Sequence, residues 1–331
     1  MENGTSAIFN RQTKPIADAL VQIINHDLTP YWPVTVRQCF YQLVGRMIVP
    51  NSQDQYRTVS RVLVKLREND LVPWDAIEDR TRRTTHKRGV SNVVSWLEEQ
   101  CQDMLRPDYY GRCLVQNQPV YCEVSTEKDA LSSILESVVW PYCVRLNVVR
   151  GQVSATMVHQ IALRFEQAMM NGQRPLLLHF GDLDPSGVSI PHALKRNLIE
   201  RHGIDVEVVR VALNPEQVAA YHLPVSLDAV KTSDPNHGAW LRKYGESQPA
   251  VELDALHPQD LQDILRDALD QVFDMQDFQK QKRQEVQDRE LVKEIRLYVL
   301  GCIGRRFGDQ IPYCKSYSGV LGECPPHITN P

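Results

Sequence analysis

Leu176-Leu177-Leu178-His179-Phe180-Gly181-Asp182-Leu183-Asp184-Pro185-Ser186-Gly187 is the segment on which the architecture of this chain turns. A short apolar run stops at an Asp-x-Asp pair and passes at once into Pro-Ser-Gly. That order reads as a buried strand ending in a turn, with two carboxylates at its C-terminal edge. Open α/β sheets place their chemistry at such edges. Pro185 and Gly187 bend the chain there. Two hard oxygen donors from one turn suit Mg²⁺ or Mn²⁺, since Mg²⁺ takes one or two carboxylates and completes its octahedron with water and phosphate oxygens. Equally, Asp182 and Asp184 fit the role of caps on the helix that follows. The stretch alone leaves both readings open.

On either side the chain alternates strand and helix. Apolar runs at 120–124, 144–149 and 206–211 read as further strands, and 127–138, 154–170 and 190–201 as helices. This alternation predicts an α/β fold with a mostly parallel sheet and helices on both faces. Residues 215–250 read as irregular and 258–300 as helical and highly charged, while 301–331 carry no clear pattern.

Upstream the period changes to that of helices. Residues 14–26 place apolar groups at 16, 19, 20, 23 and 24, with Pro15 in the first turn. Thr35 opens a second helix, with Gln38 as its capping-box partner and Val36, Phe40, Leu43 and Val44 as its apolar stripe. A third helix over 56–69 turns Val59, Val62, Leu63 and Leu66 inward and Arg57, Arg61, Lys65 and Arg67 outward. Residues 71–80 read as a strand-and-turn wing. Three helices and a wing, the third helix basic, suggest a winged-helix (CAP-like) module over 1–106, for which a bundle without a DNA role is the alternative. A linker helix over 91–105, with Val93, Val94, Trp96, Leu97 and Leu105 partly buried, leads to a boundary at 107–111. Residues 107–331 then form the α/β domain with a helical extension.

Composition bounds the function. The 331 residues are 42% hydrophobic and 24% charged, ordinary for a globular chain of up to two domains. No apolar run is long enough for a membrane span, and the N-terminus lacks a signal-peptide pattern, which predicts a cytoplasmic protein. Eight scattered cysteines without a Cys-x-x-Cys pair argue against structural zinc and a disulfide framework. The net charge of −4 is unevenly spread, with 13 Lys+Arg against 9 Asp+Glu in residues 1–95. Arg80, Arg82, Arg83, Lys87 and Arg88 are nearly contiguous there. Such a cluster suits a polyanion, although a solvated charged face is the commoner explanation of a charge run.

In Val120-Tyr121-Cys122-Glu123-Val124-Ser125-Thr126-Glu127-Lys128-Asp129-Ala130 a strand runs into a helix with Glu127 at the junction. An acid after the first strand and an Asp-x-Asp after a later one resemble the layout of a toprim domain. Glu127-Lys128-Asp129-Ala130 resembles the Glu-Lys-acid-Ala motif of the topoisomerase VI A subunit and its meiotic double-strand-break relatives. That spacing favours Glu127 as the toprim glutamate, with Glu123 as the fallback. Arg37-Gln38-Cys39-Phe40-Tyr41 is similar to the family's Arg-x-x-(Tyr/Phe)-Tyr motif, which lies in a winged-helix domain ahead of the toprim. On a helix Arg37 and Tyr41 share a face, and Tyr41 is turned about 100° from Phe40 in the apolar stripe. More loosely, Arg150-Gly151 and Val251-Glu252-Leu253-Asp254-Ala255-Leu256 resemble other elements of the group.

The resemblance covers about residues 14–256 and is nearest to the stand-alone Mini-A topoisomerases of phages, plasmids and microbial genomes. It implies Mg²⁺-dependent transesterification on double-stranded DNA, with Tyr41 as nucleophile, Arg37 beside the phosphate, and Glu127, Asp182 and Asp184 as metal ligands. It also implies a homodimer in which each Tyr41 meets the partner's toprim, and Arg57, Arg61, Lys65 and the 80–88 cluster as phosphate contacts. The chain has no Gly-x-x-x-x-Gly-Lys-(Ser/Thr), so any ATPase is expected on a separate subunit. A toprim endonuclease without a covalent intermediate, and a non-enzymatic DNA-binding protein, are the alternatives.

Overall fold

A computed structural model of the chain describes residue 5 and residues 8–78, 89–149, 154–225, 230, 234–246 and 248–319. The chain divides into two units, Met1–Arg82 with Gln118–Asp274, and Arg83–Asn117 with Met275–Pro331. This partition cuts the chain at places other than residue 106.

The first unit begins with α1 (Lys14–Gln22), which runs on as a π-helical turn over Ile23–Asp27 and buries Ile16, Leu20, Ile23 and Ile24. In α2 (Val36–Gly45) the capping box forms as the sequence predicts. The Thr35 amide donates to Gln38 Oε1 at 2.7 Å, and the Gln38 amide donates to Thr35 Oγ1 at 3.3 Å. Next comes α3 (Gln53–Glu68), which starts three residues early because Ser52 supplies its N-cap; it buries Val59, Val62, Leu63 and Leu66 as expected.

The strand-and-turn wing does not form over the described part of 71–80. Trp74–Ala76 is a 3₁₀ turn after Pro73, and Ile77 makes one parallel bridge to Val34. Pro73 brings no amide to a ladder, and Arg67 anchors the turn instead. Its guanidinium lies 4.3 Å over the Trp74 ring and donates to the Trp74 carbonyl at 2.9 Å. The basic residues Arg80, Arg82, Arg83, Lys87 and Arg88 lie outside the described residues, as do Arg150 and Gly151.

The second unit contains α4 (Val93–Asp103), described further below. The first unit resumes with β1 (Val120–Thr126), a 3₁₀ turn at Asp129–Leu131, α5 (Ser132–Val139) and β2 (Arg145–Val148). There follow α6 (Ala155–Met170), β3 (Arg174–Phe180), α7 (Pro185–His202) and β4 (Glu207–Ala212). The span 215–250, expected to be irregular, contains α8 (Pro215–Ala220), opened by the Asn214–Gln217 capping box, and α9 (His237–Tyr244). The unit closes with α10 (Pro258–Val272).

The four strands form one parallel sheet in the order β2-β1-β3-β4. The inner strands β1 and β3 are almost wholly buried, as a sheet covered on both faces requires. α6 and α7 close one face with Val158, Ile161, Phe165, Leu194 and Leu198 packed on Leu177 and Val206. α5 and α10 pack together against the sheet through β2 and β4. From β1 the chain crosses to β2, and from β3 it crosses the other way to β4. The adjacent ends of β1 and β3 are therefore the switch point, where the connections diverge and leave a crevice. Glu127 follows β1, and Asp182 and Asp184 follow β3, at this place.

In the second unit α4 buries Cys101 and turns Leu97 inward, against Leu300 of α11 (Met275–Phe307), Cys314 of α12 (Pro312–Lys315) and Ile311 just before α12. Val93, Val94, Trp96 and Leu105 are exposed, contrary to the burial expected of the linker helix. Cys302 on α11 is disulfide-bonded, which the scattered cysteine spacing did not predict. No helix among the described residues is long and apolar enough to cross a membrane.

Candidate active site

The turn after β3 is held open by glycine and arginine. A Cβ on Gly187 would fall inside van der Waals contact of the Asp182 carbonyl oxygen and 3.1 Å from Glu127 Oε2. Arg210, in the middle of β4, donates to the carbonyls of Asp182 at 2.5 Å, Gly181 at 2.8 Å and Gly187 at 3.0 Å. Burial pulls the Arg210 guanidinium below its ordinary value, against the opposing pull of Asp182, Asp184 and Glu127. A cation in an apolar strand such as Val206-Glu207-Val208-Val209-Arg210-Val211 was the available signal for this residue, which the sequence reading missed.

The two aspartates take different roles. Asp184 N-caps α7, accepting from the Gly187 amide at 2.6 Å, so the capping reading holds for this residue. Asp182 is buried and accepts from the Leu253 amide at 2.7 Å, while its other oxygen lies 3.0 Å from Lys128 Nζ. Burial raises its carboxyl to about 6, with Lys128 opposing the rise. Glu127 is not in a helix but in the link between β1 and the 3₁₀ turn, its amide donating to the Phe180 carbonyl at 3.1 Å. Burial first, then Asp182 and Asp184, push Glu127 up to about 7. Its Oε2 is buried with no hydrogen-bond partner among the described residues.

Glu123 has a different environment. It is fully buried and receives the Arg164 guanidinium through two bonds, at 2.5 and 2.8 Å, with Asn147 at 2.8 Å and Tyr121 at 3.0 Å. Both its oxygens are engaged inside the fold, whereas Glu127 faces the Asp182–Asp184 turn.

The segment after α9 closes the site. Val251 pairs with Leu183 in an antiparallel bridge, which draws Glu252 and Asp254 alongside the turn. Lys128 sits at their centre, 2.5 Å from Asp254, 2.7 Å from Glu252 and 3.0 Å from Asp182. Against the opposing effect of its burial, Asp254, Asp182 and Glu252 hold the ammonium well above its ordinary value. Lys128 and Asp254 were not among the site residues read from the sequence. Their signal was the Glu-Lys-Asp-Ala and Glu-Leu-Asp-Ala tetrapeptides, whose polar members cannot share one helical face with the apolar ones.

Tyr41 and Arg37 reach this cluster from α2. Arg37 Nη1 lies 2.5 Å from Glu252 Oε2, and its guanidinium sits 5.7 Å from the Tyr56 ring centre. Tyr41 is 5% exposed, so it is buried beside Phe40 rather than turned out from the stripe. Burial and the facing Glu252 carboxylate raise the phenol well above its ordinary value, and Lys128 and Arg37 oppose them. Glu252 itself is lowered by Lys128 and Arg37 against its own desolvation. Tyr41, Arg37, Tyr56, Asp182, Asp184 and Glu252 line one cleft of about 610 Å³. The resemblance pairs Tyr41 with the acids of a partner chain; here it shares a cleft with those of its own. Arg57 also lines that cleft, and Arg61 and Lys65 continue the exposed face of α3.

The donor set suits a hard divalent cation in chemistry. Glu127 carries a buried oxygen without a partner, and its like-charged neighbours raise its proton affinity. Asp184 has one oxygen beyond its cap. Asp182, in contrast, is turned to Lys128, and among the described residues no three His, Cys, Asp or Glu side chains are gathered in metal-holding geometry. Glu127 and Asp184 are the carboxylates left to offer oxygens to a Mg²⁺, with Asp182 engaged beside them. No family model, no curated protein and no solved structure matches this chain.

Proposed function

We propose that the chain is a DNA-cleaving transesterase of the topoisomerase VI A-subunit type, its N-terminal helices a DNA-binding module related to the winged helix but with a 3₁₀ turn at Trp74–Ala76 where the wing was expected, and its parallel sheet a toprim domain. The observation that carries this reading is the cleft in which Tyr41 and Arg37 face Asp182 and Asp184. A tyrosine, an arginine and a carboxylate cluster at a sheet switch point supply a nucleophile, a cation for the phosphate and metal-binding oxygens for covalent attack on a phosphodiester.

In the reaction the Tyr41 oxygen forms a bond to phosphorus and the bond from phosphorus to the 3′-oxygen breaks. The products are a 5′-phosphotyrosyl link and a 3′-hydroxyl, the phenol proton leaving Tyr41 and the 3′-oxygen gaining one. Arg37 is positioned to hold the phosphate under attack, for which it must release Glu252. That exchange also withdraws Arg37 from Glu252 and leaves Lys128 to hold that carboxylate. When bound at Glu127 and Asp184, Mg²⁺ or Mn²⁺ neutralises charge at the scissile phosphate and the leaving oxygen. Cutting both strands requires two such clefts, hence a homodimer on double-stranded DNA. ATP, if used, enters through a separate subunit.

Incubation with supercoiled plasmid and Mg²⁺, stopped with detergent and protease, tests the reading. The expected product is linear or nicked DNA that carries protein at its 5′ ends in a detergent-stopped sample and is released by the protease, and that is lost in Tyr41→Phe. Adducts that persist in Tyr41→Phe would remove the nucleophile. A second reading, hydrolysis without an adduct, is favoured by the burial of Tyr41 and its raised phenol. It predicts cleavage that Tyr41→Phe leaves unchanged.

A further inference from the structure

A second cavity, of about 640 Å³, lies between α7 and α9. His192, Arg196 and Arg201 enter it from α7, and Trp240 and Lys243 from α9. Among the described residues no aspartate or glutamate lines it. This is unexpected in a chain of net charge −4. Arg196, Arg201 and Lys243 are exposed and make no salt bridge with a carboxylate among the described residues, while Lys243 lies 5.0 Å over the Tyr244 ring. Surface cations left without counterions repel one another, and a bound anion relieves that repulsion. Burial, then Lys243 and Arg210, lower the His192 imidazole below its ordinary value. Trp240 is 2% exposed, and its indole N–H has no partner among the described residues.

The geometry is that of a track rather than a point site. Positions 185, 189, 192 and 196 recur at helical spacing, so they share one face of α7. Pro185 lines both this cavity and the Tyr41 cleft, so the two adjoin at that residue. At ~1.5 Å per residue, His192 and Arg196 on this face lie about 6 Å apart along the helix, and Arg201, turned about 140° from Arg196, lines the cavity beyond them.

We infer that the α7–α9 cavity is a nucleic-acid phosphate track, with Arg196, Arg201 and Lys243 holding the DNA strand that leaves the cleft past Pro185. The inference rests on the reading of the substrate as DNA. Contacts of this kind fix the path and register of a strand without reading its bases. Such a track holds the strand end after cleavage, when only the phosphotyrosyl bond otherwise retains it.

The test measures anisotropy of a fluorescein-labelled duplex oligonucleotide with the full chain carrying Tyr41→Phe, in Ca²⁺ so that no cleavage occurs. Arg196→Glu/Arg201→Glu/Lys243→Glu should weaken binding at least about tenfold and make the plot of log K against log salt shallower by about 2–3. Arg196→Lys/Arg201→Lys keeps the charges and should bind as the parent does, which separates charge from folding. Unchanged affinity and slope in the triple variant would overturn the track. So would inorganic phosphate shifts at these residues accompanied by unchanged DNA affinity, since a free anion would then be the ligand. Pocket-dependent binding in a protein whose Tyr41 form yields no adduct sinks the transesterase reading and spares the track. Failure of the parent to bind duplex DNA at all sinks both.

Discussion

Arg37 on α2 and Glu252, 215 positions later, meet as an ion pair at 2.5 Å, and the same carboxylate oxygen accepts from Lys128 at 2.7 Å. One carboxylate thus ties the tyrosine helix to the acidic turn. Its two cations stabilise it as an anion, and that anion adds to the burial that keeps Tyr41 protonated. Glu252→Gln should lose about 1–3 kcal/mol of stability in denaturant unfolding, the ordinary cost of disturbing a charged hydrogen bond. It should also lower the pH at which Tyr41 ionises, read as the tyrosinate absorbance difference between Glu252→Gln and its Tyr41→Phe double variant. An unshifted difference spectrum would show that Glu252 does not govern the phenol.

Among the described residues Lys128 is the one cation placed against Asp182, Glu252 and Asp254 together. Lys128→Met leaves Asp182 and Asp254 without a cation and Glu252 with Arg37 alone, and should cost about 3–5 kcal/mol in urea unfolding. Added Mg²⁺ should then raise the melting temperature of Lys128→Met more than that of the parent. Equal shifts in both proteins would mean that the ammonium and the cation do not compete for the same acids.

Gly187 has no room for a side chain between the Asp182 carbonyl and Glu127. Gly187→Ala should push the first turn of α7 away from β3, costing about 1–3 kcal/mol. Adduct formation should fall much further than stability, because Asp184 and Glu127 part. A variant equal to the parent in adduct yield would show that the turn tolerates the shift.

His179, wholly buried on β3, bonds Ser125 Oγ at 2.9 Å through Nδ1 and is depressed to about 3 by burial and then Arg210. Above pH 6.5 the folded and unfolded states both hold it neutral, and it has no effect. Below that the unfolded chain takes a proton that the folded chain refuses, so stability falls with pH until about 3. The slope from this group alone is at most ~1.4 kcal/mol per pH unit. His179→Asn should flatten the stability profile between about pH 6 and pH 4 in denaturant titrations, and identical slopes would refute the assignment.

Tyr41 shares its cleft with Asp184 of the same chain. A mixture of Tyr41→Phe and Asp184→Asn proteins should therefore form no more adduct than either alone. Restoration on mixing would show that the tyrosine of one protomer works with the acids of its partner.

The elements were legible from the sequence where local chemistry is decisive. The Thr35–Gln38 box, the inward residues of α3, and the strand that stops at Asp182 are set by periods and caps within a few residues. The same alternation predicted a mostly parallel sheet, and the four strands are all parallel. In place of the expected wing, the described part of 71–80 has a 3₁₀ turn after Pro73 on which Arg67 stacks from outside the run. Neither did local sequence separate Glu123 from Glu127. That depended on Arg164, which reaches Glu123 from α6 and removes it from the cleft.

The residues alone were enough for the α/β class, the order of the strands along the chain, and the candidates Tyr41, Arg37, Glu127, Asp182 and Asp184. It took the folded chain to show that Asp184 caps α7, that Asp182 turns to Lys128, and that Glu252 joins Tyr41 to both. Caps and apolar periods are short-range and repeat along the chain. A charge cluster drawn from positions 37, 128, 182 and 252 exists only where the switch point of the sheet folds four distant segments onto one another.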